Sequence, residues 1–188
     1  MTDAGLATVC GLAGLRWLSM AGSDGVRSPG FQGLCRLAAL EFLCVQKCHG
    51  FDDDALAALR SLTELKALQL GWCVQLTPKG LYLLQDMPQL TELDLTATKL
   101  DDAGLARMGG ELQALKILSL RSTAISQHGL QHCRRMVRMR RLDLNGCDVS
   151  SGAVRLPALD TALVLDTTLA LALAALLVRC ATCSRCAS

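Results

Sequence analysis

Aromatic rings are scarce in this sequence, with Trp, Tyr and Phe together making up 3% of its residues. Binders of single-stranded nucleic acid stack bases on such rings, and that platform is largely missing. Net charge is only +2 at pH 7, far from the basic footprint of a general nucleic-acid binder. Long apolar runs are missing too. The longest, residues 169–178, covers ten positions, about half of what a bilayer span requires. No apolar stretch at the N-terminus resembles a signal peptide. There is no P-loop, no dinucleotide fingerprint and no G-x-S-x-G elbow. These absences point away from an enzyme, a membrane protein and a nucleic-acid binder, and give no cofactor, metal or small-molecule substrate. They lead to the expectation of a soluble cytoplasmic chain, with the nucleus as the alternative compartment.

What is present is one phrase, repeated. Leu62-Thr63-Glu64-Leu65-Lys66-Ala67-Leu68-Gln69-Leu70 is followed 25 residues later by Met87-Pro88-Gln89-Leu90-Thr91-Glu92-Leu93-Asp94-Leu95. Leu112-Gln113-Ala114-Leu115-Lys116-Ile117-Leu118-Ser119-Leu120 follows after another 25. Earlier and later copies end Leu43-Cys44-Val45 and Leu142-Asp143-Leu144. So regular a period predicts a solenoid. The few leucines of one unit do not offset the entropy of ordering it, so neighbouring units must share a core.

Each unit has two legs. The first, L-x-x-L-x-L, alternates apolar and polar residues and predicts a short strand. The second reads L-x-D-x-G-L-x-x-L, as in Leu100-Asp101-Asp102-Ala103-Gly104-Leu105-Ala106-Arg107-Met108. It predicts a short helix, with Thr77 and Asp101 as N-caps and Pro78 in a first turn. Strands pack at about 4.8 Å and helices at about 10 Å, so the stack bends with its sheet inside. Between the legs, Ser23, Cys48, Cys73, Thr98, Thr123 and Cys147 share one column. They read as reduced thiols and hydroxyls satisfying backbone groups in a turn. A disulfide between Cys48 and Cys73 is the less favoured alternative.

The pattern L-x-x-L-x-L-x-x-C/T-x-x-L-T-D-x-G-L resembles the cysteine-containing class of leucine-rich repeats. The resemblance covers residues 1–154. It implies an α/β, right-handed leucine-rich-repeat solenoid: a curved horseshoe with a parallel sheet on its concave face and short helices on its convex face. About six repeats of 24–25 residues are expected, the first partial. That class is common among F-box substrate receptors, so the resemblance also offers a reading as the substrate-recognition part of an SCF-type ubiquitin ligase, with SCF components as partners. No F-box precedes the repeats. A structural or regulatory assembly subunit is a third reading.

Both ends break the pattern. The chain opens inside a unit, as a fragment of a longer protein or a shortened gene model would. Residues 22–30 carry a poor turn signal, and an irregular loop is expected there. Beyond residue 154 the period fails, although Leu163-Val164-Leu165 offers a seventh strand 21 residues after Leu142. Residues 155–188 read as a degenerate capping repeat or as an irregular tail rich in Ala, Leu and Cys.

The concave wall is the candidate partner-binding surface. Outward strand columns bring forward Trp17, Phe42, Glu92 and Arg141, then Gln69, Asp94 and Asp143, then Gln46 and Arg121, with Trp72 beside them. Exposed aromatics are typical binding anchors, and the mixed charges can orient a protein partner. Other clusters have plainer readings. Arg134, Arg135, Arg138, Arg140 and Arg141 read as a solvated face, with an anion, RNA or acidic-peptide patch as the sharper alternative. His128 and His132 share i, i+4 spacing but lack the Glu of a zinc-protease motif. Cys180, Cys183 and Cys186 supply three thiols where a structural zinc takes four ligands. Asp52, Asp53, Asp54, Asp101 and Asp102 fall at helix starts and read as caps.

Overall fold

The computed structural model describes residues 1–149 and the strand at Leu163–Val164. The strands are β1 (Trp17–Ser19), β2 (Phe42–Cys44), β3 (Ala67–Gln69), β4 (Glu92–Asp94), β5 (Ile117–Ser119), β6 (Arg141–Asp143) and β7 (Leu163–Val164). They form one parallel sheet in chain order. The register follows the repeat, with Leu18, Leu43, Leu68, Leu93, Leu118 and Leu142 as successive partners. β7 pairs Leu163 with Arg141 and Val164 with Leu142. The seventh strand is therefore present, with Val164 rather than Leu163 in the leucine register. Residues 155–162 and 165–188, including the proposed cap or tail and Cys180, Cys183 and Cys186, otherwise lie outside the described residues.

The helical legs are α1 (Asp3–Val9), α2 (Ser28–Gln32), α3 (Asp53–Ala58), α4 (Pro78–Leu81), α5 (Asp102–Glu111) and α6 (Gln127–Leu130). All but α1 and α5 tighten into a 3-10 turn before the next strand. Neighbouring helices contact one another along the stack. Between the two walls runs one continuous core. Leu43, Leu68 and Leu142 are fully buried in it, and so are Leu34, Leu59, Leu84 and Leu105 from the helical legs. No described helix is long and apolar enough to cross a membrane.

Helix starts obey capping chemistry. The side chains of Thr2, Asp52, Thr77, Asp101 and Ser126 each accept a backbone N–H from their own first turn. The first helical residue does something that spacing alone does not announce. Asp53 accepts both the Thr77 N–H (2.9 Å) and the Thr77 hydroxyl (2.6 Å) of the next coil. Asp102 does the same to Ser126, at 2.8 and 2.6 Å. Asp3 accepts the Arg27 N–H at 2.8 Å, where α2 has no capping side chain. Each carboxylate thus fastens the helix start of the following coil. Its side chain lies over a glycine there: a Cβ on Gly80 would collide with Asp53, and one on Gly129 with Asp102. The D-x-G element in the repeat is therefore a contact between coils. Where the first helical residue is Ser28, the glycine gives way to Ala55 and Ser28 donates to Asp52 at 2.7 Å.

The small-residue column forms the expected ladder, and all seven described cysteines are free, Cys48 and Cys73 included. Residues 22–30 correct the expectation of an irregular loop. Gly22 makes the same left-handed turn as its counterparts (φ 67°), Ser23 and Val26 are buried in the common positions, and α2 starts on schedule. The turn signal is weak because Arg27 replaces a capping residue, and Asp3 of the preceding coil supplies the missing acceptor.

A candidate partner-binding wall

Residues flanking the inward leucine of each strand point away from the core, and they build the concave wall. The first outward column runs Trp17, Phe42, Ala67, Glu92, Ile117, Arg141. Trp17 and Phe42 stack with ring centroids 3.9 Å apart and planes 9° from parallel. Phe42 is half-buried beneath, and Trp17 stays 68% exposed. Glu92 and Arg141 are exposed in the same column. The second column places Gln69, Asp94 and Asp143 half-buried in the wall.

The two aspartates are bonded in the same way. Asp94 Oδ1 accepts the Thr96 N–H (2.9 Å) and its hydroxyl (2.5 Å), and Asp143 Oδ1 accepts the Asn145 N–H (3.1 Å) and its side-chain amide (2.8 Å). These are Asx-type turns, in which a carboxylate bonds the backbone two residues on. The second oxygen of each reaches an earlier coil. Asp94 Oδ2 accepts from Gln46 Nε2 at 2.6 Å, two coils away, and Asp143 Oδ2 lies 3.6 Å from Arg121 Nη1. Gly71 lies between Gln46 and Asp94, and having no side chain it leaves that bridge open. Thr96 and Ser119 hydroxyls are 3.0 Å apart and extend the network. Thr96, Ser119 and Asn145 lie in the outward strand columns, but column position alone does not announce their bonding. The repeated D-x-T/N at the strand ends was the available signal.

Trp72 stands apart from the stacked pair. It follows β3 in a turn where each coil places one residue with positive φ: Gly22, Lys47, Trp72, Ala97, Ser122 and Gly146. These residues carry the backbone ladder past the strands, as when the Trp72 N–H donates to Thr96 O at 2.8 Å. Trp72 has φ 63° and is half exposed. The structure thus places Trp17 against Phe42, and Gln46 against Asp94, while Trp72 occupies the rim of the same wall with no ring contact among the described residues.

At the other rim, ahead of the strands, Glu41 lies between Arg16 (3.6 Å) and Lys66 (3.0 Å). The Lys66 hydrogen bond and charge, with Arg16 adding to them, hold the Glu41 carboxyl below its ordinary range.

No family model matches the chain. A putative adenylate cyclase regulatory protein from Trypanosoma equiperdum is 32% identical over 141 residues, which are 73% of this chain and 21% of that protein. The chain therefore spans about a fifth of that relative's length. Among solved structures, an internalin from Listeria monocytogenes superposes with a TM-score of 0.61 at 16% identity, covering 86% of this chain and 51% of its own. At that identity the likeness concerns the fold, and it agrees with the stacked strands and helices: the chain is a leucine-rich-repeat α/β solenoid.

Proposed function

We propose that this solenoid is a non-catalytic recognition module that holds a partner protein against its concave wall. The observation that carries this reading is Trp72. It stands in a left-handed turn, and half of its large apolar side chain remains exposed. Its counterparts in the other described coils are Gly22, Lys47, Ala97, Ser122 and Gly146, so Trp72 alone among them offers a large aromatic, the kind of side chain that anchors partners. In this reading Trp17, Phe42 and Trp72 anchor the partner, while Gln69, Glu92 and Arg141 meet its polar groups. Gln46 is already bonded to Asp94 and Arg121 already paired with Asp143, so little order is gained on binding and little entropy is lost. The solenoid of this proposal runs through residue 154. A reducing, cytoplasmic setting suits its ladder of free thiols.

A regulatory subunit is the second reading, favoured by the name of the trypanosomal relative. It uses the same wall with an enzyme as the partner. Neither the fold nor the relatives favour the ubiquitin-ligase alternative.

The test is site-specific photo-crosslinking. A photoreactive amino acid replaces Gln69 or Glu92 on the concave wall, or Ala57 or Arg107 on the helical wall. The proposal expects a discrete adduct from the first two positions alone. Adducts confined to the helical positions would move the site to the other face.

A further inference from the structure

We propose that the edge where the sixth coil turns from helix to strand is a second docking surface, built for an acidic, extended segment of a protein. Arg134 and Arg135 close the 3-10 turn Gln131–Arg135, Arg138 lies in the tight turn that follows, and Arg140 leads into β6. Lys116 joins them from the neighbouring coil, where its carbonyl accepts the Arg140 N–H at 2.7 Å. All five cations are exposed.

What sets this edge apart is the gathering of five exposed cations without counter-charge among the described residues. Several cations elsewhere are matched, and those that are not stand singly along the chain. Arg16 and Lys66 flank Glu41, Arg60 meets Asp86 at 2.8 Å, and the Arg107 guanidinium lies 4.7 Å from the centre of the Tyr82 ring. Here no described carboxylate lies within ion-pairing distance of any of the five. Like charges gathered on one edge repel one another, and an anionic partner relieves that repulsion.

The shape of the cluster selects the partner. Four of the cations follow a single coil, so the stripe is about 5–10 Å wide, the spacing of one strand or one helix. An extended peptide fits such a stripe. A nucleic-acid duplex is broader than this stripe, since its major groove alone is about 12 Å wide. Single strands find no stacking surface, since every aromatic residue lies at or before Tyr82. Val137, 65% exposed amid the arginines, adds an apolar contact. The segment that fits is therefore rich in Asp and Glu and carries an apolar side chain. This surface uses none of the anchors assigned to the concave wall.

Fluorescence anisotropy with a labelled poly-glutamate peptide containing one leucine tests the proposal, alongside a duplex RNA of matched charge. Peptide affinity should fall as salt rises. It should weaken about tenfold in the Arg134→Gln, Arg135→Gln, Arg138→Gln variant, the combined effect of three exposed charge pairs. The corresponding Arg→Lys variant controls for folding and should bind within a few-fold of the parent. Val137→Ser should remove the advantage of the leucine-containing peptide over plain poly-glutamate. Equal peptide affinity for the parent and the Gln variant would overturn the proposal. So would tighter binding of the duplex lost in that same variant, which would make the edge a nucleic-acid surface.

Discussion

Cysteine and threonine share one column but bond differently. The Cys48, Cys73 and Cys147 thiols reach back to the carbonyls of Met20, Val45 and Leu120 in the preceding coil, at 3.1, 3.1 and 2.9 Å. The Thr98 and Thr123 hydroxyls donate within their own coil, to Leu95 and Leu120, and Thr123 Oγ1 also lies 3.5 Å from Cys147 Sγ of the next coil. The longer carbon–sulfur bond makes the thiol a tie between coils. Burial raises the Cys48 thiol above its ordinary value and pushes Cys73 and Cys133 up to about 12. In the unfolded chain these thiols ionise near 9.0, so on raising the pH the unfolded state releases its protons first. The stability they confer is intact below about pH 9 and is lost progressively toward 12. The melting temperature should therefore fall across that range, and less steeply in Cys73→Ala, Cys133→Ala protein. Native alkylation followed by peptide mapping should label exposed Cys35 well before Cys73 or Cys133. The thiol column was legible in the sequence because the period aligned it. The strain at Trp72 was not, because a positive φ leaves its mark only through the glycines at equivalent positions, Gly22 and Gly146.

At the scale of elements, strands, helices and their caps follow from local chemistry and could be read from spacing. The carboxylate that joins one coil to the next could not, because Asp53 and Thr77 meet only when the stack exists. It makes a sharp prediction. Asp53→Ala should cost about 1 kcal/mol, the value of its exposed hydrogen bonds to Thr77. Gly80→Ala should cost more, since the new methyl displaces the Asp53 carboxylate from those bonds. In the double variant that clash is gone, so the two costs should fall short of their sum. Urea unfolding of all four proteins checks this, and simple additivity would mean that Gly80 is present for another reason. The strand β7 was visible as Leu-Val-Leu, but its register was off by one, because the shortened unit before it removes the ruler that fixes every earlier strand.

For the whole molecule, periodicity determined the architecture. Each coil completes its neighbour's core, so stability depends on position in the stack. Leu93 is buried between coils on both sides, whereas Leu18 belongs to the first strand and has a partner on one side only. Leu93→Ala should destabilise by about 2–5 kcal/mol, the range for a buried leucine, and Leu18→Ala by less. Chemical denaturation would show the order, and equal losses would argue against a shared spine. The wall's purpose was less legible than its frame. Outward positions are free of core duty, so the repeat says where Trp17 or Glu92 points but not what it meets.

The central claim is that the concave wall presents exposed aromatic anchors to a partner, and Trp72→Gly tests it most directly. Relief of the left-handed turn partly offsets the loss of the half-buried ring, so the variant should remain folded, as thermal or chemical unfolding would show. Photo-crosslinking from Gln69 should lose its partner adduct in the same protein. A folded variant that keeps the adduct would contradict the account, because Trp72 is then no anchor.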